Sequence, residues 1–229
     1  MNNLKQNTAI LIFSRTAKEE AEAKSFHKRA GKKLNQLIAR FFITNTKQKA
    51  IKTGLPVITL FSNKQVGNTF GERITHGIQQ VFAHGYTNVI VLGNDCADLC
   101  HKSILKAAAE LEKTGFAFGP DERGGAYLIG VSKQHFCEKT LLNISWNTNK
   151  VYDELLAYAA ANNAPCTELE QKRDMNTQGD LEVALSHLKN DLNLVYSIFL
   201  QLAGVLIIYR QQYTLSTVTS TRSLRAPPQ

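Results

Sequence analysis

Cysteine is scarce and poorly spaced for chemistry. Cys96, Cys100, Cys137 and Cys166 form no CxxC pair and lack the density of a secreted disulfide scaffold. Reduced thiols acting as small apolar side chains in a cytosol fit this pattern better than a zinc site or a disulfide framework. The opening stretch MNNLKQNTAILIFSR lacks a long apolar region followed by a small-residue cleavage site, so no signal peptide is expected. Also lacking is a basic ribbon interleaved with aromatic residues, which speaks against base stacking and a nucleic-acid partner. No internal repeat or low-complexity tract interrupts the chain before residue 190.

The chain's 229 residues, 43% of them hydrophobic, suffice for one good-sized core. The net charge of +8 is unevenly placed: +9 over residues 1–60, −4 over 61–192 and +3 over 193–229. A basic N-terminal segment can attract polyphosphate. Its lysines, however, are scattered among apolar positions, as on the solvated face of an amphipathic helix.

Apolar periodicity alternates between strand and helix along the chain. Strands are read at Thr8 to Phe13, Leu55 to Phe61, Val89 to Leu92, Phe116 to Phe118 and Ala126 to Val131, with a short one near Cys166. Thr16 with Glu19, and Thr69 with Glu72, have the spacing of capping boxes that open helices. The first helical region carries Leu34, Leu37, Ile38, Phe41 and Phe42 at helical spacing up to about Lys52. The second presents Phe70, Ile74, Ile78, Val81 and Phe82, with Gly85 suited to its C-terminal cap. Further helices are expected at about Ser103 to Lys113, Asn149 to Ala161 and Thr177 to Leu188. Such alternation implies a three-layer α/β/α sandwich around a mainly parallel sheet, occupying residues 1–190.

Ligands of such sheets bind outside the carboxyl ends of the strands. GNDCAD, Gly93 to Asp98, follows a buried strand, so Asp95 and Asp98 are expected at a ligand crevice. Two hard oxygen donors there suit Mg²⁺ or Mn²⁺. For Asp98, a helix N-cap or turn role competes.

LGNDCADL resembles the GSDCPDL signature of small bacterial transferases with the nucleotide-diphospho-sugar transferase fold, the Rossmann-like GT-A type. These were long described only as a domain of unknown function. Some are named radical-SAM/selenodomain-associated or arsenosugar-biosynthesis glycosyltransferases, and the family is related to molybdenum cofactor and phospholactate guanylyltransferases. GNTFGERITHGIQQVFAHG resembles the family's GxLGERL helix, GPDERGGAYLIG its GPAxDGGYYLLG, ISWNT its PWST, and RDMNTQGDLE its DVDTPEDL. The likeness runs in order from about residue 8 to 188.

The resemblance implies that Asp95 holds the divalent metal bridging a nucleotide diphosphate, with Asp98 a partner and Asp174 and Asn176 further ligands. Asn176 stands where relatives carry an acid, but its amide oxygen can still serve a metal, and helix capping competes for Asn176 and Thr177. Nucleotide or substrate contacts are implied at Arg15, Lys24, Gly71, Glu72, Arg73, Gly93, Asn94, Gly124, Gly125 and Trp146. Paired glycines before a strand allow positive φ and close ligand approach, or simply a turn. Relatives carry an acid where Arg123 stands. They also follow the first strand with a GxxKTR phosphate loop, where this chain has FSRTAKEEAEAKSF. Arg15 and Lys24 match its basic residues, but Glu19, Glu20 and Glu22 replace its glycine and proline, which disfavours a free triphosphate.

The expected activity is metal-dependent glycosyl transfer from a nucleotide-sugar to a small-molecule acceptor in the cytoplasm. A guanylyltransferase-like nucleotidyltransferase and a non-catalytic nucleotide-binding protein are the alternatives. No general base is evident, and His76, His101 and His135 qualify by residue type alone. Residues 191–229 form a separate tail. Leu194 to Tyr209 is an apolar run of 16 residues, shorter than the ~20 of a membrane span. Packing on the domain or across a homo-oligomer, or a membrane contact, is expected there, with a disordered end beyond.

Overall fold

The first strand, β1 (Thr8–Ser14), is buried along its whole length. Side chains of a strand alternate between faces, so Ala9, Leu11 and Phe13 enter one apolar cluster while Ile10 and Ile12 enter another. A strand covered on both sides has no polar face, which explains the unbroken hydrophobic run. This is a computed structural model, and it describes residues 7–24, 26, 31–177 and 179–180.

Five more strands join β1: β2 (Val57–Phe61), β3 (Asn88–Leu92), β4 (Phe116–Pro120), β5 (Ala126–Ser132) and β6 (Cys166–Glu168). They form one six-stranded sheet in the order β2-β1-β3-β5-β4-β6. β1 pairs in parallel with β2 and β3, placing Ile10 beside Val57 and Ile90, and β4 pairs in parallel with β6. β5 runs antiparallel to both β3 and β4. Only residues 121–125 separate β4 from β5, too short a connection for the crossover that parallel strands require. The sheet is therefore mainly parallel with one reversed strand.

Helices cover both faces. α1 (Ala17–Ala23) and α2 (Lys32–Ile51) follow β1; α3 (Phe70–Ala83) precedes β3; α4 (His101–Thr114) precedes β4; α5 (Glu138–Asn143) and α6 (Val151–Ala161) lie between β5 and β6. Ile74, Ile78, Val81 and Phe82 of α3 pack with Leu155 and Tyr158 of α6 on one face. Ile104, Ala107, Ala108 and Leu111 of α4 and Ala50 of α2 cover the other. A third, smaller cluster joins Phe26 and the α2 residues Ile38, Ala39 and Phe42 to Ala97 and Met175.

Both capping boxes are present, Thr16 with Glu19 on α1 and Thr69 with Glu72 on α3. Gly85, just past α3, has φ +95°, the left-handed geometry its place requires. The helical region after β1 divides into α1 and α2. α4 starts at His101 with Cys100 at its N-cap, so Asp98 does not cap it. The short α5 went unread because six residues are too few to show a helical period. The helix expected over 177–188 lies outside the described residues from 181 on, and so does the apolar run 194–209. Among the described residues no helix is long and apolar enough to cross a membrane.

Ile90 is fully buried at the centre of the sheet between β1 and β5. Replacing it with alanine should lower unfolding free energy by about 2–5 kcal/mol, the range for large-to-small core changes. Urea titration checks this, and a loss below about 1 kcal/mol would show that the sheet is less tightly packed than its burial indicates.

Candidate functional site

From β1 the chain passes outward to β2 and then returns to β3 on the opposite side of β1. This reversal opens a crevice at the carboxyl ends of β1 and β3. A cavity of about 990 Å³ occupies it. Of the residues singled out in the sequence, Arg15, Lys24, Arg73, Gly93, Asn94 and Asp95 line the cavity, as do Gly125, Trp146, Asp174 and Asn176. Asp98, Gly71, Glu72 and Gly124 stand outside that lining, as do His76, His101 and His135.

Asp95 and Asp174 are 79 residues apart in sequence yet are tied through the backbone. Cys96 and Asp174 form an antiparallel bridge, and the amide of Met175 donates to the carbonyl of Asp95 at 2.8 Å. Asp121, at the end of β4, completes the acidic group. Its carboxylate accepts from the backbone amides of Arg123 at 2.6 Å and Gly125 at 2.9 Å, closing the turn between β4 and β5. Burial, followed by the negative charges of Asp95 and Asp121, holds the Asp174 carboxyl well above the usual carboxylate range. Its Oδ1 is buried without a hydrogen-bond partner among the described residues.

Lys24 faces this group from the end of α1. Its ammonium donates to Asp95 Oδ2 at 2.5 Å and to Glu20 Oε1 at 2.9 Å. The Lys24 side chain is 10% exposed and that of Glu20 3%. Burial pulls the Lys24 ammonium down, but the charges of Asp95 and Glu20 outweigh it and raise its pKa. Arg15 stands 3.6 Å from the other Glu20 oxygen. Glu19 accepts from Ser62 and Thr16, and these bonds draw its carboxyl below the usual range. Two of the three acids that replace the phosphate loop are therefore engaged within the protein.

The remaining candidates have local roles that the geometry makes plain. Glu72 accepts from the amide of Thr69 at 3.1 Å in its capping box. Gly71 lets Trp146 approach α3, since a Cβ there would sit 3.0 Å from the indole ring. Trp146 donates its ring N–H to the carbonyl of Leu141 at 2.8 Å and packs on Phe70 with ring centroids 5.2 Å apart. Gly124 has φ +80°, and a Cβ there would stand 2.1 Å from the Asn149 carbonyl oxygen. At Gly125 the space for a Cβ is taken by Asp121 Oδ2, 2.2 Å away. The glycine pair thus builds the turn and seats Asp121. Asp98 is exposed, in a turn. Cys96 is buried, and burial together with the charges of Asp174 and Asp95 keeps it a thiol, while all four cysteines are unpaired.

The carboxylate of Asp121 was missed in the sequence. Its signal is the spacing of an aspartate four residues before Gly125, as in turns where the side chain accepts from following amides. The divalent-metal fit rests on hard oxygen donors, a like-charge group and the unpartnered Asp174 Oδ1. Among the described residues no three His, Cys, Asp or Glu side chains close into a ready-made cage. Mg²⁺ in general needs no such cage, since one or two carboxylates with phosphates and water can complete its shell.

The fold is that of nucleotide-diphospho-sugar transferases. A candidate nucleotide-diphospho-sugar transferase from Desulfovibrio desulfuricans G20 matches with a TM-score of 0.76 and 22% identity, covering 88% of this chain and 97% of that one. A 4-diphosphocytidyl-2C-methyl-D-erythritol synthase from Anaerococcus prevotii DSM 20548 matches with a TM-score of 0.50 and 10% identity, over 82% of this chain and all of that one. The chain belongs to the family described as an uncharacterized protein conserved in bacteria, DUF2064, which matches residues 29–148. No curated protein matches its sequence.

Two predictions test this geometry. Lys24→Met should destabilise the fold by about 3 kcal/mol, because it leaves buried Glu20 short of its closest cation. Adding Glu20→Gln should return most of that loss in chemical denaturation, and an additive double variant would show that the two groups are not coupled. Gly124→Ala should cost more than about 1 kcal/mol by the same measurement, because a left-handed backbone and the Asn149 carbonyl both oppose the methyl group. Unchanged stability there would mean that the turn adjusts freely.

Proposed function

We propose that the protein is a divalent-metal-dependent transferase that binds a nucleotide-diphospho-sugar and passes the glycosyl group to a small-molecule acceptor. The observation that carries this reading is the meeting of Asp95, Asp121 and Asp174 at the β1/β3 crevice, with the buried Asp174 Oδ1 left without a partner among the described residues. Asp95 and Asp174 would hold the cation, with the amide oxygen of Asn176 as a further donor. When bound, Mg²⁺ or Mn²⁺ would neutralise the charge on the diphosphate leaving group.

The protein's own residues do the rest. Lys24, fixed between Glu20 and Asp95, keeps a positive charge beside the acids, where a phosphate oxygen can share it. Arg15 and Arg73 add cationic side chains to the wall. Trp146, held by its bond to Leu141 and its packing on Phe70, offers a rigid apolar surface to a sugar or base ring. Gly93, Asn94 and Gly125 bring backbone close to the ligand space. Asp98, exposed in its turn, has the lesser part.

Thermal-shift titration with nucleotides and nucleotide-sugars, with and without Mn²⁺, tests the proposal. A nucleotide-sugar should raise the melting temperature more strongly when Mn²⁺ is present, since a ligand that binds only the folded state stabilises it by mass action. Asp95→Asn should remove this metal enhancement while remaining folded, whereas Asp98→Asn should leave most of it. Metal-enhanced binding that survives in Asp95→Asn would overturn the assignment. Pyrophosphate release from a nucleoside triphosphate would identify a nucleotidyltransferase instead, and binding without turnover of any donor would leave a nucleotide-binding protein.

A further inference from the structure

Two stretches distant in sequence meet beside the acidic group, the turn 121–125 and the segment formed by residues 171–177 with Asp180. Backbone bonds join their near ends: the Glu122 amide donates to the Lys172 carbonyl and the Lys172 amide to the Pro120 carbonyl, both at 3.0 Å. Glu122 also accepts from Arg173 at 2.7 Å in an exposed ion pair. Past that point Asp174 meets Asp121 side chain to side chain, and Arg123 alone among the described residues of the turn reaches on to Asp180. Arg123 donates through Nη1 to the Asp174 carbonyl at 3.0 Å and through Nη2 to Asp180 Oδ1 at 2.6 Å.

Asp180 transmits this hold. Its side chain is 6% exposed. Its Oδ2 accepts from the amide of Asn176 at 3.0 Å, the amide of Thr177 at 2.8 Å and the Thr177 hydroxyl at 2.9 Å. One planar guanidinium therefore grips the segment at both ends, directly at Asp174 and through Asp180 at Asn176 and Thr177. The forked donor geometry of arginine suits such a two-point attachment, and lysine could not reproduce it.

We infer that Arg123 is a positioning residue that fixes Asp174 and Asn176 in the arrangement a divalent cation needs, an inference that rests on the metal-binding reading proposed above. Without Arg123 the described residues of the segment keep the Cys96 bridge, the Met175 bond to Asp95 and the side-chain contact of Asp174 with Asp121 on the side of the acids, and nothing there holds Asn176 through Asp180. Asp174 would then lose the restraint on its carbonyl, and Asn176 the anchor of its amide. Groups that orient metal ligands commonly influence affinity almost as strongly as the ligands do.

The test uses the full-length protein and Mn²⁺ alone, with binding measured by electron paramagnetic resonance. Arg123→Ala and Asp180→Asn should each weaken Mn²⁺ binding about 10-fold or more, the size of effect seen when a ligand-orienting partner is lost. Arg123→Lys should recover only part of it, and Arg123→Asp combined with Asp180→Arg should bind more tightly than either single charge reversal. Glu122→Gln, which breaks the neighbouring exposed pair, should leave affinity unchanged. Amide hydrogen exchange of the metal-free protein supplies a second readout: Met175, Asn176 and Thr177 should exchange faster in Arg123→Ala while the β3 amides stay protected. If the parent protein binds no Mn²⁺, the metal reading fails and the exchange rates alone decide whether Arg123 holds the segment. Parent-like exchange in Arg123→Ala, parent-like Mn²⁺ affinity where the parent binds, or a loss confined to nucleotide affinity would each overturn the inference.

Discussion

Negative charge gathered at the carboxyl end of β3 is the constraint around which the rest of the molecule is arranged. Three carboxylates in a partly buried space repel one another and lose hydration, so each needs a compensating group. Asp95 has the Lys24 ammonium, and Asp121 has the backbone amides of Arg123 and Gly125. Asp174 has the least: burial and the charges of Asp95 and Asp121 favour its protonated form, and one of its oxygens is buried and unpartnered among the described residues. A fold relying on hydrophobic burial alone would gain nothing from such a grouping. It is tolerated because the surrounding elements are rigid enough to hold it.

That rigidity comes from apolar contacts placed directly behind the charged residues. Ala97 and Met175, each close in sequence to one of the acids, are buried with Phe26, Ile38, Ala39 and Phe42. Thus α2 has its buried positions Ile38, Ala39 and Phe42 packed with residues of the loops bearing Asp95 and Asp174. The capping box on α1 serves the same end. It fixes the start of a seven-residue helix whose far end delivers Lys24 to Asp95. Buried Glu20, one turn before Lys24, keeps the ammonium in place from below.

Much of this was legible in the sequence because its signals are local. Short unbroken apolar runs marked the strands, and TxxE spacing marked both capped helix starts. The apolar run into Gly93 located Asp95 at a strand's carboxyl end. What stayed hidden depended on contacts between distant segments. Nothing in RDMNT shows that Asp174 pairs with Cys96, and nothing in GPDERGG shows that Arg123 reaches Asp180, since both depend on how β4 and β6 lie in the sheet. The partners of the glutamates of α1 stayed hidden for a related reason. Read as replacements for a phosphate loop they oppose an anion, but Glu20 is buried in an ion pair and Glu19 is spent on a cap. The glycine pair was ambiguous on sequence alone, because a turn and a ligand approach call for the same residue.

The charge balance of the cavity carries the proposed function one step further. Among the described residues its lining holds four basic side chains, Arg15, Lys24, Arg73 and Arg123, against six acidic ones, of which Asp174 is held toward its protonated form. The basic groups are largely engaged within the protein: Lys24 with Asp95 and Glu20, Arg123 with Asp180, Arg15 near Glu20, and Arg73 with the Asn68 carbonyl. A diphosphate entering alone would face an acidic excess among these described side chains, felt most where the walls exclude water. A cation bound by Asp95 and Asp174 would reverse that sign at the place where the phosphates must lie. On the proposed reading, the metal therefore does more than assist the leaving group; it is the condition for binding the donor at all, and donor and metal affinities should be strongly coupled.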